Sequence, residues 1–136
     1  MKRLGVLIGS AVVPLAVLAA AAIAAPRADV AGRWKCCGAG GAAAQVWILH
    51  QKGGRITGVG ELPSGRVFAA ITGEVRGSAF SMTQIYNSFA PGYIAHVSGT
   101  VARGGERLTG VWSSNQHQSG TFTATLVRSK PEKDRA

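Results

Sequence analysis

The chain has 136 residues and a formal net charge of +9, from 15 Lys and Arg against 6 Asp and Glu. This length allows one domain with a modest core and excludes a second one. The acids of the predicted domain body, Glu61, Glu74 and Glu106, fall on outward faces or in a hairpin. An enzyme with a catalytic carboxylate pair therefore lacks its residues, and we predict no enzyme and no cofactor.

Residues 1–24 are predicted to be a signal peptide. Lys2 and Arg3 precede an uncharged run rich in Ala, Val and Leu, and Ala22-Ile23-Ala24 supplies a small-x-small cleavage site. We expect a periplasmic or secreted protein, with residues 25–30 as a linker. The alternative is an uncleaved membrane anchor, because about 20 apolar residues span a bilayer. Pro14 within the run disfavours that alternative.

Residues 31–128 predict an all-β domain, an antiparallel eight-stranded up-and-down meander barrel. A phrase of aliphatic residue, Ser or Thr, Gly, any residue and apolar residue recurs at Ile71–Val75, Val97–Val101 and Leu108–Trp112. Each copy places Gly between apolar residues on one strand face, which favours strands coiled around a narrow core. Residues 129–136 are predicted to be a disordered polar tail. Turn signals give strands at 31–37, 44–51, 55–62, 67–76, 79–87, 93–103, 107–114 and 120–128.

Alternation along the predicted strands assigns inward and outward faces. In the strand at 67–76, Val67 and Ala69 are expected to face inward and Phe68 outward. The strand at 44–51 is ambiguous, because Trp47 and Leu49 compete with the pair Val46 and Ile48 for the core.

A meander places alternate connections at the same end of a barrel. One end is predicted to be tight and basic, with the hairpins 52–55, 76–78 and 103–107. The other end collects the longer links 38–43, 63–66, 88–92 and 115–119, and is predicted to be open and polar.

Gly32-Arg33-Trp34 resembles the Gly-x-Trp that opens lipocalin and avidin barrels. Arg128 is similar to the late lipocalin Arg that lies over this Trp at the closed end, where a cation contacts the indole face. The resemblance is to the calycin-type barrels as a superfamily, and it implies that the barrel holds one small apolar ligand. The residues that hold biotin in avidins have no counterpart here, so the resemblance does not name the ligand.

Cys36 and Cys37 are adjacent, and in a strand they point to opposite faces. We expect one buried and one exposed thiol. Two alternatives are an intermolecular disulfide through Cys37 and a metal site built on the two thiols. His50 and His96 are scattered and are expected outside the core, so no metal is predicted.

The leading hypothesis is an exported, non-catalytic barrel that binds a small apolar molecule at its open end. Aromatic residues would form the walls of the site, and polar residues near the longer links would orient the ligand. The predicted walls are Trp47, Tyr86 and Trp112, and the predicted polar contacts are Gln84, Ser114, Asn115 and His117.

The alternative hypothesis is an envelope-associated protein-interaction module. It would use the basic end against an anionic envelope surface, or form a homodimer through Val46–Ile48 and neighbouring strands. Nucleic acid is disfavoured as a partner, because the basic end has no interleaved aromatic residues. An inhibitor of a secreted enzyme is a third hypothesis, with no specific residue behind it.

Overall fold

The computed structural model describes residues 26–37 and 44–128. The predicted signal peptide at 1–24, the link at 38–43 and the tail at 129–136 lie outside these residues. Within them, no helix is long and apolar enough to cross a membrane. The strands are β1 (Gly32–Cys36), β2 (Gln45–Lys52), β3 (Arg55–Glu61), β4 (Val67–Arg76), β5 (Ala79–Tyr86), β6 (Ile94–Val101), β7 (Arg107–Ser114) and β8 (Ser119–Leu126).

The eight strands form one closed barrel in chain order. Each strand pairs antiparallel with the next, and β8 pairs antiparallel with β1. Closure leaves none of the described strands with an unpaired edge, which an even number of meandering strands permits. The predicted all-β meander barrel is confirmed, with bounds that differ only at the strand ends.

The core inside the barrel consists mainly of large apolar side chains. Trp47 and Leu49 are each 2% exposed, so the ambiguity in β2 is resolved in favour of this pair. Ile48, one residue between them, is half-buried on the outer face. The most deeply buried side chains include Trp34, Trp47, Leu49, Ile56, Ile71 and Leu108.

The segment 26–31, which contains residues 26–30 of the predicted linker, runs across the end of the barrel that carries the tight hairpins. The Ala28 backbone N–H donates to the Gly77 carbonyl at 2.8 Å, and the Val30 N–H donates to Gln51 Oε1 at 2.7 Å. Val30 is completely buried. This segment closes the barrel at that end, which is therefore named the closed end.

Trp34 lies at the closed end, as the resemblance implies, but its partner differs. Its indole N–H donates to the Val30 carbonyl at 2.9 Å. The expectation that Arg128 covers this indole is wrong, because the Arg128 guanidinium is exposed and pairs with the Glu106 carboxylate. A carboxylate offers a guanidinium stronger, charge-assisted hydrogen bonds than a ring face does.

A β-bulge interrupts the pairing of β3 with β4 near the opposite end. Gly60 pairs with Ala69 and Glu61 pairs with Val67, so Phe68 is an extra residue without a partner in the register. A bulge reverses the facing of the residues beyond it. The prediction for this strand start is therefore wrong: Phe68 is 3% exposed and packed inside, whereas Val67 is 43% exposed.

The described longer links, 63–66, 88–92 and 115–119, lie at the end opposite the closed end. Asn115 joins two of them, because its Nδ2 donates to the Gly92 carbonyl at 2.9 Å and its Oδ1 accepts from the Ile94 N–H at 3.0 Å. The Asn87 N–H donates to the Phe68 carbonyl at 2.9 Å, which continues the pairing of the end of β5 with the start of β4. This end is named the open end.

Candidate functional site

A cavity of about 340 Å³ lies inside the barrel at the open end. Its volume equals roughly eleven water molecules at ~30 Å³ each, and it falls at the small end of the ~300–1,000 Å³ range of ligand pockets. Inward-facing residues of β2, β5, β6, β7 and β8 form the walls. Aromatic side chains dominate this lining: Trp47, Tyr86, Tyr93, Trp112 and Phe122.

The aromatic rings of the site support one another in edge-to-face contacts. The ring centroids of Trp47 and Phe122 lie 5.5 Å apart, and those of Tyr86 and Tyr93 lie 4.7 Å apart. Phe68, turned inward by the bulge, packs on Tyr86 at 4.9 Å. Such pairs add stabilisation beyond that of the buried area alone, so each ring of the cavity wall is held in place by a neighbouring ring.

Three amide side chains, Gln45, Gln84 and Gln118, supply polar groups to the lining. Gln45 and Gln84 are buried, with 8% and 2% exposure. Gln45 Oε1 accepts from Trp47 Nε1 at 2.7 Å and from Gln84 Nε2 at 2.8 Å. Because one oxygen receives two donors from β2 and β5, the orientations of both neighbours are fixed.

The cavity is electrically neutral. Its lining includes no Asp, Glu, His, Lys or Arg among the described residues. Burial raises the pKa of the Tyr86 phenol above its ordinary value, the neighbouring Tyr93 raises it further, and a hydrogen bond with Gln45 opposes the rise. The phenol is therefore uncharged at neutral pH.

The β7–β8 loop forms one side of the cavity mouth. Gln118 Oε1 accepts from the Tyr93 hydroxyl at 2.6 Å and from Ser114 Oγ at 3.3 Å. Ser114 Oγ in turn accepts from the Gln116 N–H at 3.1 Å. His117 has a positive φ of 64° at the exposed loop tip.

The structure brings four of the predicted site residues together around the cavity: Trp47, Gln84, Tyr86 and Trp112. The other three take different places. Ser114 and Asn115 make hydrogen bonds that shape the loops at the mouth. His117 stands outside the lining, on the exposed side of its turn.

Sequence reasoning did not select Gln45, Tyr93, Gln118 or Phe122, all of which line the cavity. Gln45 has the same parity as Trp47 and Leu49, so an inward face for those two residues would have included it. Gln118 belongs to the predicted open-end link 115–119, Tyr93 begins the predicted strand 93–103, and Phe122 lies in the predicted strand 120–128. The sequence does not reveal how far the packed core extends along the barrel, and therefore which inward-facing residues line the cavity.

The two cysteines are bonded to each other. They are 5% and 4% exposed, and Cys37 lines the cavity. The expectation of an exposed Cys37 thiol is wrong, and so is its alternative of an intermolecular disulfide. Because a disulfide joins these two consecutive side chains, they cannot point to opposite faces as they would in a regular strand. The strand β1 accordingly ends at Cys36. No group of three His, Cys, Asp or Glu side chains comes together within residues 26–37 and 44–128.

Comparison with known proteins gives a match at the level of structure. No protein-family model matches the sequence, and no curated protein matches it. Among solved structures, rhizavidin superposes with a TM-score of 0.57 at 14% identity, covering 76% of this chain and 88% of that one. Apo shwanavidin gives a TM-score of 0.56 at 15% identity, with 74% and 97% covered, and a second crystal form gives 0.55 at 16%, with 76% and 99% covered. The chain therefore has an avidin-like fold, a closed eight-stranded antiparallel barrel.

Proposed function

We propose that this protein is an exported, non-catalytic binding protein that takes up one small, largely apolar molecule at the open end of its barrel. One observation carries the proposal. A cavity of about 340 Å³ with five aromatic side chains and three amides in its walls lies at the mouth, while the rest of the interior is packed. Apolar walls with a few placed polar groups are typical of small-molecule sites.

A ligand contacts the cavity mainly through ring faces and edges. Aromatic walls offer a large area for burial at about 25 cal/mol per Å² of apolar surface removed from water. The Gln45 hydrogen bonds hold Trp47 and Gln84 before a ligand arrives. A preformed site loses less entropy on binding than one that must be ordered.

N-phenyl-1-naphthylamine, a neutral dye that fluoresces in apolar surroundings, tests the proposal. We expect saturable binding with a Kd on the order of 10 μM, from a ligand efficiency of about 0.4 kcal/mol per atom. Ala95 lines the cavity at 4% exposure, so Ala95→Phe fills the space and is expected to weaken binding at least about tenfold.

Ala79→Phe is the matched control, because Ala79 is exposed on the outer face of β5. This variant should bind the dye like the unsubstituted protein. Equal loss in both variants, or no saturable binding by the unsubstituted protein, would refute the cavity as a ligand site.

Export is part of the proposal and rests on residues 1–24. The support is the basic start at Lys2 and Arg3, the apolar run behind it and the Ala22-Ile23-Ala24 cleavage pattern. Expression of the full chain in a bacterium with an intact secretion system should yield a periplasmic product. Its measured mass should correspond to a chain that begins at Ala25. A product of full-chain mass in the membrane fraction would favour the anchor alternative.

A second candidate function, interaction with a second copy of the chain, is favoured by the outer surface. One register row across β2–β6 carries only apolar residues on the outside, and its β5 member, Ile85, is 49% exposed. The row measures about 19 Å at ~4.8 Å per strand spacing. Its members are Ile48, Val59, Ala70, Ile85 and Ile94.

Light scattering after size exclusion at about 0.05 M and 0.5 M salt separates the two candidates. The formal charge, +9 for the full chain and +7 without Lys2 and Arg3, repels a second copy, so a dimer formed by the apolar row should be more populated at high salt. Ile85→Lys should abolish it. A monomer under both conditions would remove this candidate and leave ligand binding untouched.

A further inference from the structure

The closed end of the barrel carries most of the cations among the described residues. Five of them are exposed and make no ion pair with any described residue. Lys52 and Arg55 lie at the β2–β3 hairpin, and Arg103 and Arg107 lie at the β6–β7 hairpin. Arg27 belongs to the segment 26–31, which runs across this end.

The acids at the closed end do not neutralise these five cations. Glu74 pairs with Arg76 at 3.3 Å, and Glu106 pairs with Arg128. Asp29, the third acid, accepts a hydrogen bond from a backbone N–H of its own segment. The closed end therefore keeps a net positive charge, and exposed guanidinium and ammonium groups bind phosphate oxygens through charge-assisted hydrogen bonds.

Backbone hydrogen bonds hold the cationic hairpins in place around the rim of the barrel. The Val75 N–H donates to the Gly54 carbonyl at 2.8 Å, which joins the β2–β3 hairpin to β4. The Val101 N–H donates to the Ser78 carbonyl at 2.8 Å, which joins the β4–β5 hairpin to the end of β6. Because the cations stand around a closed ring of strands, they form a face rather than a line. A face fits an extended surface better than it fits a single linear polyanion.

The position of the N-terminal segment indicates which surface this is. The apolar run of the predicted signal peptide ends at Ala25, and Arg27 follows it closely in the sequence. The Ala28 backbone N–H donates to the Gly77 carbonyl at 2.8 Å, so the chain enters the barrel at the closed end. While the signal segment is still attached in a bilayer, the closed end is therefore the part of the barrel nearest the lipid headgroups.

The closed end has little apolar surface that could insert into a bilayer. Among the described residues, Val127 is the large apolar side chain exposed at this end, at 38%. The exposed aromatic residue, Phe89, lies in the link 88–92 at the open end. A contact between the closed end and a membrane would therefore be electrostatic, reversible and sensitive to salt.

We propose that the closed end docks by charge on the anionic phospholipid surface of a bilayer. In this orientation the cavity at the open end faces away from the membrane, where a small molecule can reach it. The inference goes beyond the proposed ligand binding and does not depend on it. Docking outlasts the removal of the signal peptide, because the five unpaired cations belong to the barrel itself.

Cosedimentation with lipid vesicles tests the proposal. The chain that begins at Ala25 is used, since it contains every described residue and lacks the apolar run, which would insert by itself. It should bind vesicles of equal parts phosphatidylglycerol and phosphatidylcholine at about 0.05 M salt, and at least about tenfold more weakly at about 0.5 M salt. It should not bind pure phosphatidylcholine. Equal binding to both kinds of vesicle, or no binding to either, would overturn the proposal.

Arg103→Glu and Arg66→Glu form a matched pair of variants. Both residues are exposed in links between strands, and both substitutions change the net charge equally, but Arg66 lies at the open end. Each unit of charge near an anionic surface changes the partition coefficient about fivefold, so Arg103→Glu should weaken binding to the anionic vesicles about 25-fold. Arg66→Glu should weaken it less than about twofold. Equal loss in both variants would show that net charge acts without a docking face.

A measurement on the unsubstituted protein gives the orientation without any variant. Anionic vesicles that carry a gadolinium chelate on a lipid headgroup broaden the amide signals of residues near the membrane surface. The turn glycines Gly53, Gly77 and Gly104 at the closed end should broaden more than Gly65 and Gly92 at the open end. Equal or reversed broadening would overturn the docking face. Tighter binding to dextran sulfate than to vesicles, at equal concentrations of accessible anionic groups, would assign this end to a soluble polyanion and overturn the lipid surface.

Discussion

Gln45 connects the stability of the barrel to the shape of the cavity. It is 8% exposed, and its Oε1 satisfies two buried donors from different strands. Without it, Trp47 Nε1 and Gln84 Nε2 would both be left buried and unpaired. Such groups retain the full cost of their removal from water.

Gln45→Ala is expected to lower the free energy of unfolding by about 2–6 kcal/mol, because each of two unpaired donors costs about 1–3 kcal/mol. Urea unfolding followed by tryptophan fluorescence measures the change. Gln116→Ala is the control, since Gln116 is an exposed loop residue and its side chain should contribute within about 0.5 kcal/mol. A similar loss in both variants would show that the buried network contributes nothing of its own.

Tyr86 predicts how stability depends on alkaline pH. Its pKa in the folded chain is raised by burial, then by Tyr93, so the folded state holds the phenol proton more tightly than the unfolded state does. This contribution is fully present below a pH of about 10, and it is lost as the pH rises through the folded pKa. Tyr86→Phe should therefore flatten the fall in unfolding free energy above that pH. An unchanged slope in urea titrations would contradict the shift.

At the scale of the strand, the recurrent glycines mark where neighbouring backbones come closest. Gly99 on β6 pairs with Gly110 on β7, and a Cβ built on either one would collide with a carbonyl of the partner strand. The sequence phrase that predicted close strands is confirmed at this pair.

Gly99→Ala should destabilise the barrel by at least about 3 kcal/mol, since the collision is with the backbone of Thr109 rather than with a flexible side chain. Gly104→Ala is the comparison, because Gly104 has a φ of 96° but open space around it. It should cost only about 1–2 kcal/mol, the penalty of a left-handed conformation. Thermal unfolding of both variants checks the order, and a reversed order would contradict the close approach.

The strand order followed from the short links, and the inward faces of β5 and β7 followed from alternation, because each of these two strands keeps a regular period of two. The start of β4 did not, since Val67 and Phe68 are both apolar and no pattern in the strand reveals a bulge between them. Gln45 was missed for a similar reason, because β2 offers apolar residues on both faces. The Gln45–Gln84 hydrogen bond spans 39 positions, and no local pattern predicts such a contact.

At the scale of the whole molecule, the two ends of the barrel differ in the side chains they carry. The closed end combines cationic hairpins with the segment 26–31, whose residue Val30 is completely buried. The open end has aromatic and amide side chains around a neutral cavity. The sequence predicted this division from loop lengths and charges, because alternate connections of a meander share an end. It could not predict the cavity, whose existence depends on how far the core extends.

The three tryptophans allow one measurement to test the central claim, that a small molecule enters at the open end. Trp47 and Trp112 line the cavity, and Trp34 lies at the closed end bonded to Val30. Titration of nitrogen-labelled protein with N-phenyl-1-naphthylamine should move the indole signals of Trp47 and Trp112 saturably and leave that of Trp34 in place. Binding that moves none of them, or moves Trp34 as much as the other two, would contradict the claim.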